Sequence, residues 1–492
     1  MSELVLEKSN TLPEKWIETS LDQISDIILG QSPPSSTYNK EKDGLPFFQG
    51  KSEFGKLYPT PKIWCNKPKK FAEKNDVLLS VRAPVGTTNL CPEKSCIGRG
   101  LAAIRPKGGI PILFVLYFLR HIEHDLERQG TGTTFKAISG NQIRSITIPL
   151  PPLNEQKRIV SKIEELFSKI EYGIENLQKT RLQLNEYKQS ILKNAFNGSL
   201  TMNWRKKHGS QLEKVTEILK KVIENKQGFD DNYLHQFSQD VEALPKLPPQ
   251  WVWTTIGLVS ESMKNGIYKP KSSYSNKGIA CLRMYNIEDG ELVWKNIKRM
   301  NLSQKEISEY ELLPNDLLVN RVNSRELVGK TARIPEGVER CVYESKNIRL
   351  RLFRNFTNSN LVAYWFKLFR QTFFNRNAQQ TVGMASINQE QLSQMPIPYM
   401  HISEQNELVK QIEFHFTIAK NSLSLIENNL KYLDKLRNSV LKQTFEGKLV
   451  PQDPNDEPAK ILLQKMKQEK ETLQEKQKDN KSKKITKPNQ GE

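Results

Sequence analysis

Several residues of this 492-residue chain have the chemistry to grip a polyanion. Arg82 stands just past the apolar run "DVLLSV", where the chain breaks into Ala83-Pro84. Arg99 lies between Gly98 and Gly100 in "CIGRGLAAIRP". Thr133, Thr134 and Lys136 share the Gly/Thr loop of "GTGTTFKAISGNQI". Farther on, Lys269 follows "NGIY", and Arg321, Asn323, Arg325 and Lys330 crowd the stretch "NDLLVNRVNSRELVGKT". An arginine offers two parallel donors that fit a phosphate or a guanine edge. Glycine turns with small hydroxyls let a backbone come close to phosphate and base edges. These ten positions are the candidate DNA-binding residues, although each stretch also reads as an ordinary surface loop.

Covalent chemistry is not spelled out. "GKT" at 329–331 imitates a phosphate loop, but the upstream glycine of that motif falls on Ser324. His121 and His124 in "HIEH" could ligate a metal; no third ligand accompanies them, and both are expected on the solvent face of a helix. "PLPPL" at 149–153 resembles the paired prolines of amino-methyltransferases. It lacks the Asn or Asp that accepts from the target amine, and no glycine-rich cofactor motif goes with it. Asp76 and Glu93 are too generic to suggest a nuclease. The expectation is a chain with no catalytic residues, no metal and no cofactor of its own.

The formal net charge of +19 points to a polyanionic partner, nucleic acid ahead of a membrane surface. A merely basic soluble protein is the plain alternative. Residues 1–150 carry 20 Lys+Arg against 15 Asp+Glu, and residues 247–400 carry 21 against 13, with eleven arginines. Cys65, Cys91, Cys96, Cys281 and Cys341 form no CxxC pair and suggest a reducing compartment. No apolar run is long enough to span a bilayer and no signal-peptide pattern opens the chain, so a cytoplasmic protein without a membrane partner is expected.

The elements that must position these residues are written twice. "NEQKRIVSKIEELF" at 154–167 aligns with "SEQNELVKQIEFHF" at 403–416, and "ILKNAFNGSL" at 191–200 with "VLKQTFEGKL" at 440–449. Across 154–200, thirteen of 47 pairs are identical at a constant offset of 249, against about three expected by chance. "LPEKW" at 12–16 is answered by "LPPQW" at 247–251, "NDVLL" at 75–79 by "NDLLV" at 315–319, and "AISGNQI" at 137–143 by "SINQEQL" at 386–392. Each constant stretch reads as one long helix. Asn154 and Ser403 suit N-caps, and Gly198 and Gly447 fall where a C′ glycine belongs. Steps of four and three mark a narrow apolar stripe through Ile163, Phe167, Ile170, Leu177, Leu184 and Ile191. A matching stripe runs through Ile412, Phe416, Ile426, Leu433 and Val440. Stripes of equal length favour two helices packed on each other, against the alternative of packing on a globular core. The order of elements makes the pair antiparallel.

The chain therefore divides at 1–150 (a first variable unit), 151–200 (a first spacer helix), 201–246 (an exposed helical arm and linker), 247–400 (a second unit), 401–450 (a second spacer helix) and 451–492 (a C-terminal helix and a disordered basic tail). The fold class is α+β: two pseudo-twofold-related α/β units separated by a long antiparallel two-helix coiled coil. In the first unit "PILFVLYFLRHIEHDLERQG" at 111–130 is expected as one buried helix.

The phrases "LPEKW", "DVLLSVRAPVG", "GTTFKAISGNQIRSITIPLPPLNEQKRIV" and "AFNGSL", with "LPPQW", "IPYMHISEQNELV" and "TFEGKLVPQ", resemble those of the specificity (S, HsdS) subunit of type I restriction–modification systems. The resemblance runs over 12–452 and is weaker at 320–330, where "RVNSRELVGK" replaces the "VRAPVG" wording. It implies two target-recognition domains, each reading half of a bipartite sequence in double-stranded DNA. It also implies two modification subunits that carry S-adenosylmethionine and methylate adenine, and two restriction subunits that use ATP and Mg. A scaffold that binds nucleic acid without sequence preference, or a self-contained methyltransferase or nuclease, are the competing readings; the last would need the missing motifs.

Overall fold

The structure, a computed structural model, describes residues 12–130, 136–224, 226, 244–381 and 383–485. The chain divides into two compact units. The first joins everything up to Gln178 to everything from Glu427 onward; the second is Lys179–Ile426. Two 44-residue helices, Leu153–Phe196 and Ile402–Phe445, each pass from one unit into the other.

Both units pair a half of each long helix, and in both the halves run antiparallel. In the first unit Ile159 and Ile163 share a core with Val440, Leu441 and Phe445. Glu171 bonds Arg437 at 2.9 Å, and the Leu433 side chain closes on Gly173. In the second, Ile191, Leu192 and Phe196 share a core with Leu408, Val409 and Ile412, and Tyr187 meets His415 at 2.7 Å. Every stripe residue named above is buried or half-buried. Leu177, Leu184 and Leu433, midway along the helices, are only half-buried, because two helices alone cannot enclose a leucine.

The helix starts differ from expectation by two residues. Gln156 N–H donates to Pro152 O and Gln405 N–H to His401 O, so Pro152 and His401 occupy the caps and Asn154 and Ser403 lie inside the first turn. Gln156 and Gln405 reach back with their amides to Pro151 O and Met400 O, both at 2.8 Å. The following glutamines and glutamates are therefore the conserved part of the repeat for a structural reason within each copy. Buried Glu155 accepts from Gln452, just past the second helix, and buried Glu404 accepts from Thr201 and Arg205, just past the first.

The helix ends explain the most unusual repeated phrases. Gly198 and Gly447 adopt φ of +81° and +72°. A Cβ on Gly447 would lie 2.4 Å from Pro13, and one on Gly198 would lie 2.2 Å from Pro248. "FNGSL" and "FEGKL" are thus the seats on which "LPPQW" and "LPEKW" rest, each within its own unit.

The globular part of the first unit holds a four-stranded antiparallel sheet in the order Ser25–Leu29, Leu101–Pro106, Val77–Ser80, Thr88–Leu90. A five-stranded sheet contains the parallel pair Leu45–Phe48 and Ser95–Ile97. The second unit repeats the four-stranded sheet and keeps the parallel pair within a second sheet of four strands. Its four-stranded sheet runs Ser260–Asn265, Asn347–Leu352, Leu317–Asn320, Thr331–Arg333, and its parallel pair is Ile279–Leu282 with Cys341–Tyr343. The "NDxLL" phrase builds the same corner in each. Asn75 and Asn315 take φ near +70°, and buried Asp76 and Asp316 each hold an arginine through two bonds of 2.7–2.8 Å, Arg105 and Arg351.

Two helical expectations are corrected. The 111–130 segment is two helices, Ile112–His121 and Glu123–Gln129; only Leu126 of the second is buried. The arm expected to be exposed forms the helix Val215–Glu224, and Val215, Ile218 and Val222 are buried, the first two within the second unit's core. Their i, i+3, i+7 spacing makes the apolar stripe that packs there. The C-terminal helix spans Ala459–Ile485, with Ala459, Leu462 and Met466 in the first unit's core; the rest of the tail lies outside the described residues.

Gly447→Ala should destabilise the protein by about 2–4 kcal/mol, from left-handed strain and overpacking against Pro13. Gly109→Ala, at φ +75° with only a 3.8 Å contact to Leu153, should cost about 1 kcal/mol. Thermal unfolding of both variants measures the difference; equal losses would mean that the proline seat contributes nothing.

Candidate DNA interface

In the first unit Arg82 and Arg99 come together on one open cleft of about 570 Å³, with Ser32, Gln49 and Lys51 on its walls. Three backbone features aim them. Val81 N–H donates to Gly100 O, which ties the two loops side by side. Arg99 N–H donates to Ser32 Oγ at 3.2 Å. Gly30 lets its strand end close on the Gly98 carbonyl, which would stand 2.2 Å from a Cβ. Lys136 is exposed beside them, its carbonyl accepting from Ala83 N–H, and Arg82 bridges Ala137. Thr133 and Thr134 lie outside the described residues.

Both guanidiniums are exposed, and among the described residues neither has an ion-pair partner. That separates them from Arg105, Arg158 and Arg437, which hold Asp76, Asp456 and Glu171. An unpaired cation on a concave polar surface is the arrangement that releases counterions on meeting phosphate.

The second unit distributes its charge otherwise. Lys269 is paired with Glu306 at 2.7 Å. Asn323 is buried and its amide donates to Asn320 Oδ1, an arrangement that braces the turn rather than leaving the side chain open. Lys330 is half-buried, and burial lowers its pKa. Arg325 is exposed. Arg321 N–H donates to Lys346 O and Ile387 N–H to Arg321 O, the bonds that Val81 makes in the first unit. Arg321 therefore stands in the place of buried Val81, and its Nε is buried without a partner. One residue of register separates it from the place of Arg82, and side chains one residue apart on a strand face opposite ways.

The arginine surplus of the second unit is largely structural. Arg299 pairs with Glu339, Arg340 with Glu311 and Arg351 with Asp316. Arg349, Arg354 and Arg370 donate to backbone carbonyls. Counting arginines in the sequence could not distinguish these from free ones. The sequence reading also missed exposed Tyr268, Tyr285 and Lys346 on the loops that answer the cleft; no local signal separates such residues from core or surface ones.

Nucleophilic chemistry finds no purchase on the cysteines. All five are buried, and burial pushes Cys91 up to about 11 and Cys96, Cys281 and Cys341 up to about 12. His121, expected at the solvent, stacks on Phe445 at 5.3 Å, because Phe445 caps the end of its helix; His124 is exposed. No cluster of three or more metal-ligating side chains exists among the described residues. No helix there is long and apolar enough to cross a membrane.

Two units of one design carry different side chains on equivalent loops. The family model for the type I restriction modification DNA specificity domain matches residues 13–180. The chain is 24% identical over 489 residues to the type I restriction enzyme StySPI specificity subunit of Salmonella potsdam, covering 93% of this chain and 96% of that one. It is 44% identical over 192 residues to the MjaX specificity subunit of Methanocaldococcus jannaschii, where the match spans 38% of this chain and 44% of that protein. A chain from a structure of type I restriction–modification complex assembly has the same fold, with TM-score 0.66, 18% identity and coverage of 89% and 100%. The HsdS subunit of Thermoanaerobacter tengcongensis gives 0.52 at 18% identity, with 90% and 99% covered. Residues 13–180 thus match the type I restriction modification DNA specificity domain, and the chain over most of its length is similar to specificity subunits of type I restriction–modification systems.

Arg82→Ala and Arg99→Ala should leave stability within about 0.5 kcal/mol and weaken DNA binding, each lowering the salt slope by about one if it meets phosphate. Arg351→Ala should cost about 3–5 kcal/mol, since it strands a buried carboxylate. Unfolding curves and salt-dependent duplex titrations check the three; a destabilised Arg82→Ala variant would show a structural role.

Proposed function

We propose that this chain is the DNA sequence-recognition subunit of a type I restriction–modification complex. It binds a bipartite duplex target and directs adenine methylation and restriction by partner subunits. The observation that carries the reading is the repeated framework with differing clefts: each unit presents its own chemistry to its own half-site. The domain roles follow, with 1–150 and 247–400 as readers and 151–200 and 401–450 as spacer helices.

Two modification subunits and two restriction subunits are the partners. S-adenosylmethionine, ATP and Mg belong to them, and this chain supplies no catalytic group and works in the cytoplasm. Buried cysteines, with the thiols of Cys91, Cys96, Cys281 and Cys341 pushed up by burial, and arginines committed to ion pairs suit a non-catalytic role. Phe414, Ile418 and Leu425, exposed on one side of the second long helix in the second unit, suit a protein partner.

The purified chain should transfer no labelled methyl group to DNA. Together with its modification subunit in cells, it should yield one methylated motif of two short blocks separated by unread positions, seen by methylome sequencing. Methyl transfer by the chain alone, or methylation without a bipartite motif, would overturn the proposal.

A further inference from the structure

The two units can be overlaid bond by bond. Gln31 N–H donates to Ile97 O, and Ile267 N–H donates to Tyr343 O. Gly98 N–H donates to Phe48 O, and Glu344 N–H to Leu282 O. A Cβ on Gly30 would lie 2.2 Å from the Gly98 carbonyl, and a Cβ on Gly266 would lie 2.2 Å from the Glu344 carbonyl. Counting one residue on from these anchors places Tyr268 where the first unit has Ser32 and Arg283 where it has Gln49, and counting three on from Leu282 and Phe48 places Tyr285 where it has Lys51. One residue on from Arg321 and Val81, and from Glu344 and Gly98, Val322 and Ser345 replace Arg82 and Arg99.

The exchange alters the chemistry of the surface. The two free guanidiniums of the first cleft are gone, and two phenol rings stand on equivalent loops. Tyr268 is 82% exposed and Tyr285 is 68% exposed. The Arg283 guanidinium sits over the Tyr285 ring at 5.6 Å, and its Nη2 donates weakly to Asn296 O at 3.3 Å. Glu344 fixes both loops: its main chain bridges Ile267, and its carboxylate accepts from Met284 N–H at 2.8 Å. Neither ring is needed for packing, yet both are held on rigid loop bases. A phenol ring offers an apolar face to a thymine methyl or a sugar, and a hydroxyl to a base edge. A guanidinium held over a ring and tied to a backbone carbonyl is restricted in orientation, which favours a bidentate acceptor such as a guanine edge.

We propose that Tyr268, Arg283 and Tyr285 are specificity-determining residues of the second unit, which reads its half-site by ring faces with one guanidinium held over a ring, where the first unit reads with unpaired arginines. The proposal rests on the function stated above, in which each unit reads one half-site.

The test uses the full chain with its modification subunit in cells, carrying Tyr268→Ala, Arg283→Ala or Tyr285→Ala, with methylome sequencing as the readout. Tyr285→Phe retains the ring and separates stacking from hydrogen bonding. Thermal unfolding of the tyrosine variants should match the parent, since both rings are exposed; Arg283 is half-buried and bonds Asn296 O, so its variant is read at a temperature where its own unfolding curve shows it folded. Each alanine variant should lower methylation of the original motif and relax base choice, by about tenfold or more, at positions in one half only. Tyr285→Phe should keep most of the discrimination. If the parent gives a bipartite motif and the variants leave it unchanged, or weaken every sequence alike without relaxing any position, the inference is overturned while the function stands. If the parent gives no bipartite motif, the function fails and the inference with it.

Discussion

The architecture depends on two glycine seats. At Gly447 the backbone takes a left-handed turn under Pro13, and at Gly198 it does so under Pro248. Each seat locks the start of a globular unit onto the end of the long helix that arrives from elsewhere in the chain. The first unit is therefore not a continuous stretch of sequence, since it needs residues from Glu427 onward; the second, Lys179–Ile426, is continuous and includes the tail of the first long helix. The buried glutamates beside the seats, Glu155 and Glu404, reinforce them through Gln452 and through Thr201 with Arg205.

With the frame held in this way, the loops are free to differ. Arg105 and Arg351 spend their charge on Asp76 and Asp316 at the sheet corner, in both units alike. What varies lies on the loops that the strands present beyond that corner. In the first unit those loops carry Arg82 and Arg99; in the second they carry Tyr268 and Arg283. A shared skeleton with exchangeable surface chemistry is what a family of sequence readers requires, because new specificity then costs little stability.

Much of this could be read in the sequence. The 3.5-residue apolar period, the two glycines and the Asn-Asp phrases are local patterns whose physics does not depend on distant residues, and the long helices, the stripes and the repeat were legible for that reason. The residues proposed to read DNA in the second unit were not. Whether an arginine is free or paired depends on an acid some 35 residues away, as for Arg351 and Asp316. Whether Arg321 faces out depends on a register fixed by Lys346 and Ile387, and one residue of slip turned it inward. Exposed tyrosines are invisible to pattern reading, since the same residue type fills cores.

The central claim is that the two units read independently, and a chimera tests it most directly. Residues 247–400 would be replaced by the corresponding unit of another specificity subunit, and the methylome sequenced in cells that hold the modification subunit. The account predicts that one half of the motif changes and the other half keeps every base. A chimera whose two half-sites change together would contradict it.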